Sequence, residues 1–140
     1  MSTSPTLLQE VYDLFQSKAD GDFTGKELQI FNWLNSAISK SKKYIKNPLD
    51  YVLDIDSVTD GVFVFALDND EIELIAMQML YEDYNKQESY LNSLEARIGT
   101  KDFNSLPSKK QELDAIQNSK RLLKEDIKEL KQEFNTYKYN

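Results

Sequence analysis

The residues of this chain that could do chemistry are carboxylates and lysines, because the sequence contains neither histidine nor cysteine. The first absence removes imidazole as general base, as partner of a nucleophilic serine and as metal ligand. The second removes disulfides and thiolate metal sites. Asp54, Asp56 and Asp60, followed by Gly61, have the composition of a calcium loop. With Asp60-Gly61 set on the fifth and sixth positions of that motif, Asp56 takes the first. Val58 and Leu67 then fall on the third and twelfth, where the motif needs oxygen ligands. Asp68, Asn69, Asp70 and Glu71 have a sufficient role at the start of a helix. The serines lack a base to activate them, and there is no glycine-rich phosphate loop or Gly-x-Ser-x-Gly elbow. These residues predict no catalytic group, no metal and no cofactor, and hence a protein that is not an enzyme.

Lys40, Lys42, Lys43 and Lys46 crowd the end of a predicted helix. They complement the negative end of its dipole, or they form an electrostatic foot on phosphate or on an acidic partner. The formal net charge of -7 argues against a dedicated nucleic-acid binder, which must neutralise phosphates with Lys and Arg. A DNA-binding regulator using this cluster is accordingly the weakest of the functional readings. No zinc knuckle, base-reading basic helix or aromatic-rich basic sheet is legible. The opening MSTSPTLLQE lacks the basic and apolar regions of a secretory signal. No stretch approaches the roughly 20 apolar residues of a membrane helix. A cytoplasm-like compartment and no membrane partner are expected.

The elements that must position these groups are mostly helices. A chain of 140 residues, 29% charged and 40% hydrophobic, is long enough for one modest core and is not a disordered composition. Four Gly and three Pro are too few for a turn-dense all-β fold. Residues 1–140 read as a single helical domain: two N-terminal helices over 1–46, an extended segment or β-hairpin over 47–66, and a long helical hairpin with a C-terminal tail over 67–140. The first helix is predicted from Pro5 to Lys18, with Ser4 as cap and Leu8, Val11, Tyr12 and Phe15 on one face. The second follows a Thr24/Glu27 capping box and runs to Lys46. Leu49, Tyr51, Leu53 and Ile55 alternate with Asp50, Val52, Asp54 and Asp56. The turn signal Thr59-Asp60-Gly61 then leads into Val62-Phe63-Val64-Phe65. These describe a short β-hairpin, or a loop that anchors Phe63 and Phe65 in the core.

Leu67 to Ile98 predicts the element around which the rest is arranged, a helix of roughly 45 Å capped by Asp68 and Glu71 and stopped by Gly99. Met77, Leu80, Tyr84, Gln87, Leu91, Leu94 and Ile98 form a heptad seam along its whole length. Over the first half, Ile72, Leu74, Ile75, Ala76, Met79 and Tyr81 make the helix apolar on nearly all sides. Such a half-helix lies inside a bundle core or between subunits. If between subunits, Ile72, Ile75, Met79 and Tyr81 are the packing residues. Gly99 to Ser105 reads as a reversing loop. The last helix opens at Leu106-Pro107, with Ser108 and Gln111 as capping residues, and runs to Thr136. Its seam of Leu113, Ile116, Lys120, Leu123, Ile127, Leu130, Phe134 and Tyr137 matches that of the long helix. The fold expected is therefore mainly α, a helical bundle with a long antiparallel coiled-coil-like hairpin and a short β-hairpin between helices 2 and 3.

From Gly61 onward the order of features resembles a family. Gly61-Val62-Phe63-Val64-Phe65-Ala66-Leu67, then Asp70-Glu71-Ile72 and Ile75-Ala76-x-x-Met79, are similar to a phrase in head-tail connector, adaptor or neck ring proteins of tailed bacteriophages. Lys101-Asp102-Phe103 is similar to the loop that follows in that family, and a Leu- and Lys-rich helix closing in Tyr137 and Tyr139 is similar to its last element. The chain departs from the family at Tyr81-Glu82-Asp83-Tyr84, where the relatives commonly carry Trp after the Met. The resemblance covers roughly the last 80 residues. It implies a virion structural protein, made in the host bacterial cytoplasm, whose protomers form a homo-oligomeric ring of about twelve copies with closed cyclic symmetry. It further implies contacts with the portal protein and with tail or neck proteins, and a central channel through which DNA passes without sequence-specific binding. Tyr137, Tyr139, Phe63 and Phe65 are the partner-docking candidates. The alternative is a cytoplasmic helical protein-interaction module, antitoxin-like or chaperone-like, that binds through the coiled-coil hairpin.

Overall fold

The computed structural model describes residues 5–139, with side chains to residue 135. It is mainly helical, with a small antiparallel sheet between the second and third helices. In chain order the elements are α1 (Leu8–Lys18), α2 (Glu27–Ser41), β1 (Tyr51–Leu53), β2 (Gly61–Phe63), α3 (Asn69–Ile98), α4 (Thr100–Asn104) and α5 (Pro107–Tyr139).

The long helix α3 is the centre of the fold because α1, α2 and α5 all pack on it. Every residue from Leu74 to Leu80 is buried, which a helix permits only when neighbours cover it on all sides. Its start forms as the sequence predicts. Asp68 accepts a hydrogen bond from the Glu71 N–H, and Glu71 accepts one from the Asp68 N–H, each at 2.9 Å. Gly99 ends it at φ 90°, a conformation that costs a glycine little. Replacing Asp68 with Ala should lower stability by about 1 kcal/mol, read as a shifted urea midpoint with an unchanged slope.

Chain reversal after α3 makes α5 antiparallel to it. Leu113 and Ile116 meet Leu91 at the far end, Lys120 reaches Glu88, and Leu123 and Ile127 join the main core. Lys120, the polar member of the α5 seam, is held by Glu88 Oε1 at 3.0 Å and lies 5.2 Å from the Tyr81 ring centroid. The reversal is more ordered than the loop predicted for it. Phe103 is fully buried against Leu91, Leu113 and Ile116, and that burial winds residues 100–104 into the short helix α4.

Three other boundaries differ from the sequence reading. α1 begins at Leu8 rather than Pro5, because residues 6 and 7 are drawn onto β2. The Thr6 carbonyl accepts from the Phe63 N–H at 2.9 Å, and Leu7 bridges Val62. The Thr24/Glu27 capping box does not form. Thr24 instead donates through its hydroxyl and its N–H to Asp22 Oδ1, and α2 starts at Glu27 without a side-chain cap. α2 also stops at Ser41, short of Lys46, although Ile45 stays buried.

The hairpin is shorter than the alternation predicts. β1 and β2 pair as Tyr51↔Phe63, Val52↔Val62 and Leu53↔Gly61. Ile55, predicted to continue the strand, lies in the connection and is 98% exposed. Ser57 Oγ accepts from the N–H groups of Thr59 and Asp60, and the Asp54 N–H donates to the Asp60 carbonyl, which closes the ribbon at that point. Phe63 is buried beneath the ribbon. The Tyr51 ring packs edge-on to Phe31 and Phe63, and its hydroxyl donates to Asn35 Oδ1 at 2.6 Å, tying the ribbon to α2.

Candidate docking surface

The structure redistributes the residues singled out for subunit contact. Ile75 and Met79 are 0% exposed within the single chain, so they pack the protomer's own core and offer no area to a neighbour. Ile72 and Tyr81 are partly buried against that core. Two ammonium groups approach the Tyr81 ring, Lys40 at 5.6 Å and Lys120 at 5.2 Å from its centroid. The half of α3 that is apolar all round is thus explained by three helices of the same chain, the bundle-core alternative. Of the docking candidates, Phe63 is only 1% exposed, whereas Phe65 is 42% exposed and remains available. Tyr137 and Tyr139 lie outside the described side chains.

What stays uncovered is concentrated on the hairpin. Val52, Ile55, Val58, Val64 and Phe65 are five of the ten exposed large hydrophobics named among the described residues, and all lie within residues 52–65. Of the other five, Leu7 precedes α1 and bridges Val62 of β2, and Leu28, Tyr90, Leu106 and Leu122 are spread over α2 and the α3–α5 arm, so the ribbon segment holds the largest share. Exposed apolar residues gathered in so short a segment make it the candidate interaction surface of the chain. Asp50, Asp54, Asp56 and Asp60 are interleaved with these residues in the same segment and are also exposed, which gives it an acidic character.

The ribbon also has a free edge. On its inner side β2 is bridged to Leu7, and on its outer side it pairs with β1. Among the described residues no strand lies beyond β1. Asp50 and Asp54 bond inward to Val64 and Asp60, so the alternation of an antiparallel ladder turns the backbone groups of Tyr51 and Leu53 outward. An edge of this type can take an added strand. Sequence reading missed Ile55 and Val58 because it assigned Ile55 to the strand. The available signal was their chemistry, β-branched apolar residues set in an Asp- and Ser-rich turn.

The lysine group is divided in its contacts, because of its four members Lys40 has a carboxylate partner. Lys40 pairs with the Glu82 carboxylate, which also accepts from the Ser36 hydroxyl. Lys43 lies 5.1 Å from the Tyr44 ring centroid, and Lys131 approaches the same ring at 4.9 Å. Among the described residues no cluster of three or more His, Cys, Asp or Glu could hold a metal ion, and no helix is long and apolar enough to cross a membrane. The chain matches no protein-family model, no curated protein and no solved structure. Fold and surface together define a mainly helical module that displays an apolar, open-edged β-ribbon.

Proposed function

We propose that the chain is a structural subunit of a bacteriophage head-tail connector, assembling as a ring of about twelve copies between portal and tail, in closed cyclic symmetry. The observation that carries this reading is the apolar patch on the ribbon, Val52, Ile55, Val58, Val64 and Phe65, beside an open strand edge. The family-like phrase from Gly61 to Met79 supports it. A head-to-tail ring needs two different complementary patches on each protomer. The ribbon supplies one of them. Because α3 is already enclosed, ring contacts use the ribbon and the outer faces of the helices rather than Ile75 and Met79. The genome passes through the ring without sequence-specific contact, in keeping with a net acidic chain.

The test is to mix the purified protein with a portal ring from the same virion and image the product by negative stain. An added ring layer is expected. The double substitution Ile55→Asp and Val58→Asp should abolish that layer while leaving the melting curve of the free protein within about 0.5 kcal/mol of the parent, since both residues are exposed. A layer that forms equally well with the double variant removes the ribbon from the interface. A pull-down recovering one cytoplasmic protein and no virion component would instead favour the interaction-module alternative.

A further inference from the structure

A second surface lies on the opposite theme, a concave cleft rather than a projecting ribbon. It has a volume of about 310 Å³ and is formed by the α1–α2 connection, α2, α3 and α5. That volume is at the lower end of the roughly 300–1,000 Å³ of small-ligand sites. Phe23, Trp33 and Tyr90 supply aromatic lining. Trp33 is held edge-on against Phe15 at 5.8 Å and Phe23 at 6.4 Å, so its ring is fixed in place.

Asp83 also lines the cleft and is only 5% exposed. Gln87 hydrogen-bonds its side chain, yet Oδ2 is buried with no donor from the protein. A buried acceptor left unmatched costs stability, and a carboxylate more than a neutral group. Burial pushes the Asp83 carboxyl above the usual aspartate range, against the opposing pull of Gln87, Lys86 and Lys26. The remaining charges on the cleft are Asp20, Asp22 and Glu112, so acids outnumber bases. The Lys86 ammonium lies 6.0 Å from the Trp33 ring centroid, which places a cation over that ring from within the chain.

We propose that this cleft receives a guanidinium group, such as an arginine side chain, stacked on Trp33 and hydrogen-bonded to Asp83. The class follows from the lining. A planar cation satisfies a carboxylate and stacks on an aromatic face at once, whereas an ammonium is a compact point charge that does only one of these well. An anion would meet Lys26 and Lys86 but leave Asp83 opposed. This site is separate from the ribbon and does not rest on the ring reading.

Trp33 is the sole tryptophan, so its emission reports on the cleft directly. The protein is titrated with acetyl-arginine amide, acetyl-lysine amide, n-butylguanidinium and inorganic phosphate. A saturable change with the arginine compound is expected, weaker by about fivefold or more with the lysine compound because the planar fork is lost. Asp83→Asn should weaken the arginine compound about tenfold, the scale of one charge-assisted hydrogen bond. Lys86→Met should strengthen it severalfold, since the internal cation leaves the ring. Equal affinity for n-butylguanidinium assigns the cleft to free guanidinium compounds, and tighter binding of the amide assigns it to an arginine within a chain.

The fold of the Asp83→Asn variant is checked by its melting temperature. A carboxyl whose folded-state pKa is raised destabilises the fold as pH rises through and above the ordinary aspartate range. The variant should therefore melt no lower than the parent at neutral pH, with any gain vanishing in acid. No saturation up to about 10 mM, roughly -2.7 kcal/mol of binding, would overturn the proposal. So would unchanged affinity in Asp83→Asn, weaker binding in Lys86→Met, or saturation by phosphate alone.

Discussion

Replacing Ile75 with Asp should leave no cooperative unfolding transition at all. Ile75 sits in the run of α3 that three helices enclose, and none of its surface is exposed. Truncating such a residue to Ala costs about 2–5 kcal/mol. An aspartate adds a carboxyl with no partner in an apolar site, which costs several kcal/mol more whether it stays charged or is protonated. The sum falls within the roughly 5–15 kcal/mol that keeps a domain folded, and so is comparable with the whole stability of the chain. Far-ultraviolet circular dichroism on heating is the measurement, with Ile75→Val as the control, expected to cost about 1 kcal/mol and to melt as one transition. A variant with Asp at 75 that melted like the parent would mean that the enclosure of α3 described above is wrong.

Replacing Gly61 with Ala should break the ribbon while sparing the helices. A Cβ at this position would come within 2.2 Å of the Val52 carbonyl oxygen and 2.7 Å of the Leu53 Cα. Both contacts are backbone, so no side chain can turn away, and the strands must separate. Separation endangers the Asp54 to Asp60 bond, the Tyr12 hydroxyl's bond to the Thr59 carbonyl at 2.6 Å, and the seating of Phe63. A loss of about 2–4 kcal/mol is expected, the range for strain and lost packing at a buried site. Circular dichroism should show unchanged helicity at low denaturant and a lowered urea midpoint. Retained ribbon pairing, seen as an unchanged midpoint, would contradict the close approach. In the connector reading the same variant should also lose the portal-bound layer.

The helices were legible because their apolar residues recur at helical spacing. Leu8, Val11, Tyr12 and Phe15 are buried together, and Leu113, Ile116, Leu123 and Ile127 are all buried along one face of α5. Asp68 and Glu71 were legible because a capping box is local. Thr24 and Glu27 show the limit of the same pattern: Asp22 lies two residues before Thr24 and takes both its N–H and its hydroxyl, so a nearer acceptor wins. The shift of α1 to Leu8 was not legible because it depends on Thr6 and Leu7 meeting Val62 and Phe63, more than fifty residues away. Periodicity marked Ile75 and Met79 as buried without saying whether this chain or another buries them. Phe63 was legible both as a core anchor and as a docking residue, and the structure selects the first. Asp83 was missed as a site residue because a lone aspartate on a helix reads as solvated until burial is known.

The far end of the α3–α5 pair carries its own small apolar nucleus of Leu91, Phe103, Leu113 and Ile116, distinct from the main core. Between the two lie the Lys120–Glu88 pair and Tyr84, which packs against both clusters. An ion pair excludes water less completely than packed hydrocarbon and transmits little cooperativity. The arm is therefore expected to open at a lower free energy than the base, which hydrogen exchange would read as faster amide exchange at residues 91–116 than at residues 74–80. Loosening at the tip would then leave the ribbon and the enclosed half of α3 in place, so that one end of the long helix yields while the other holds its shape.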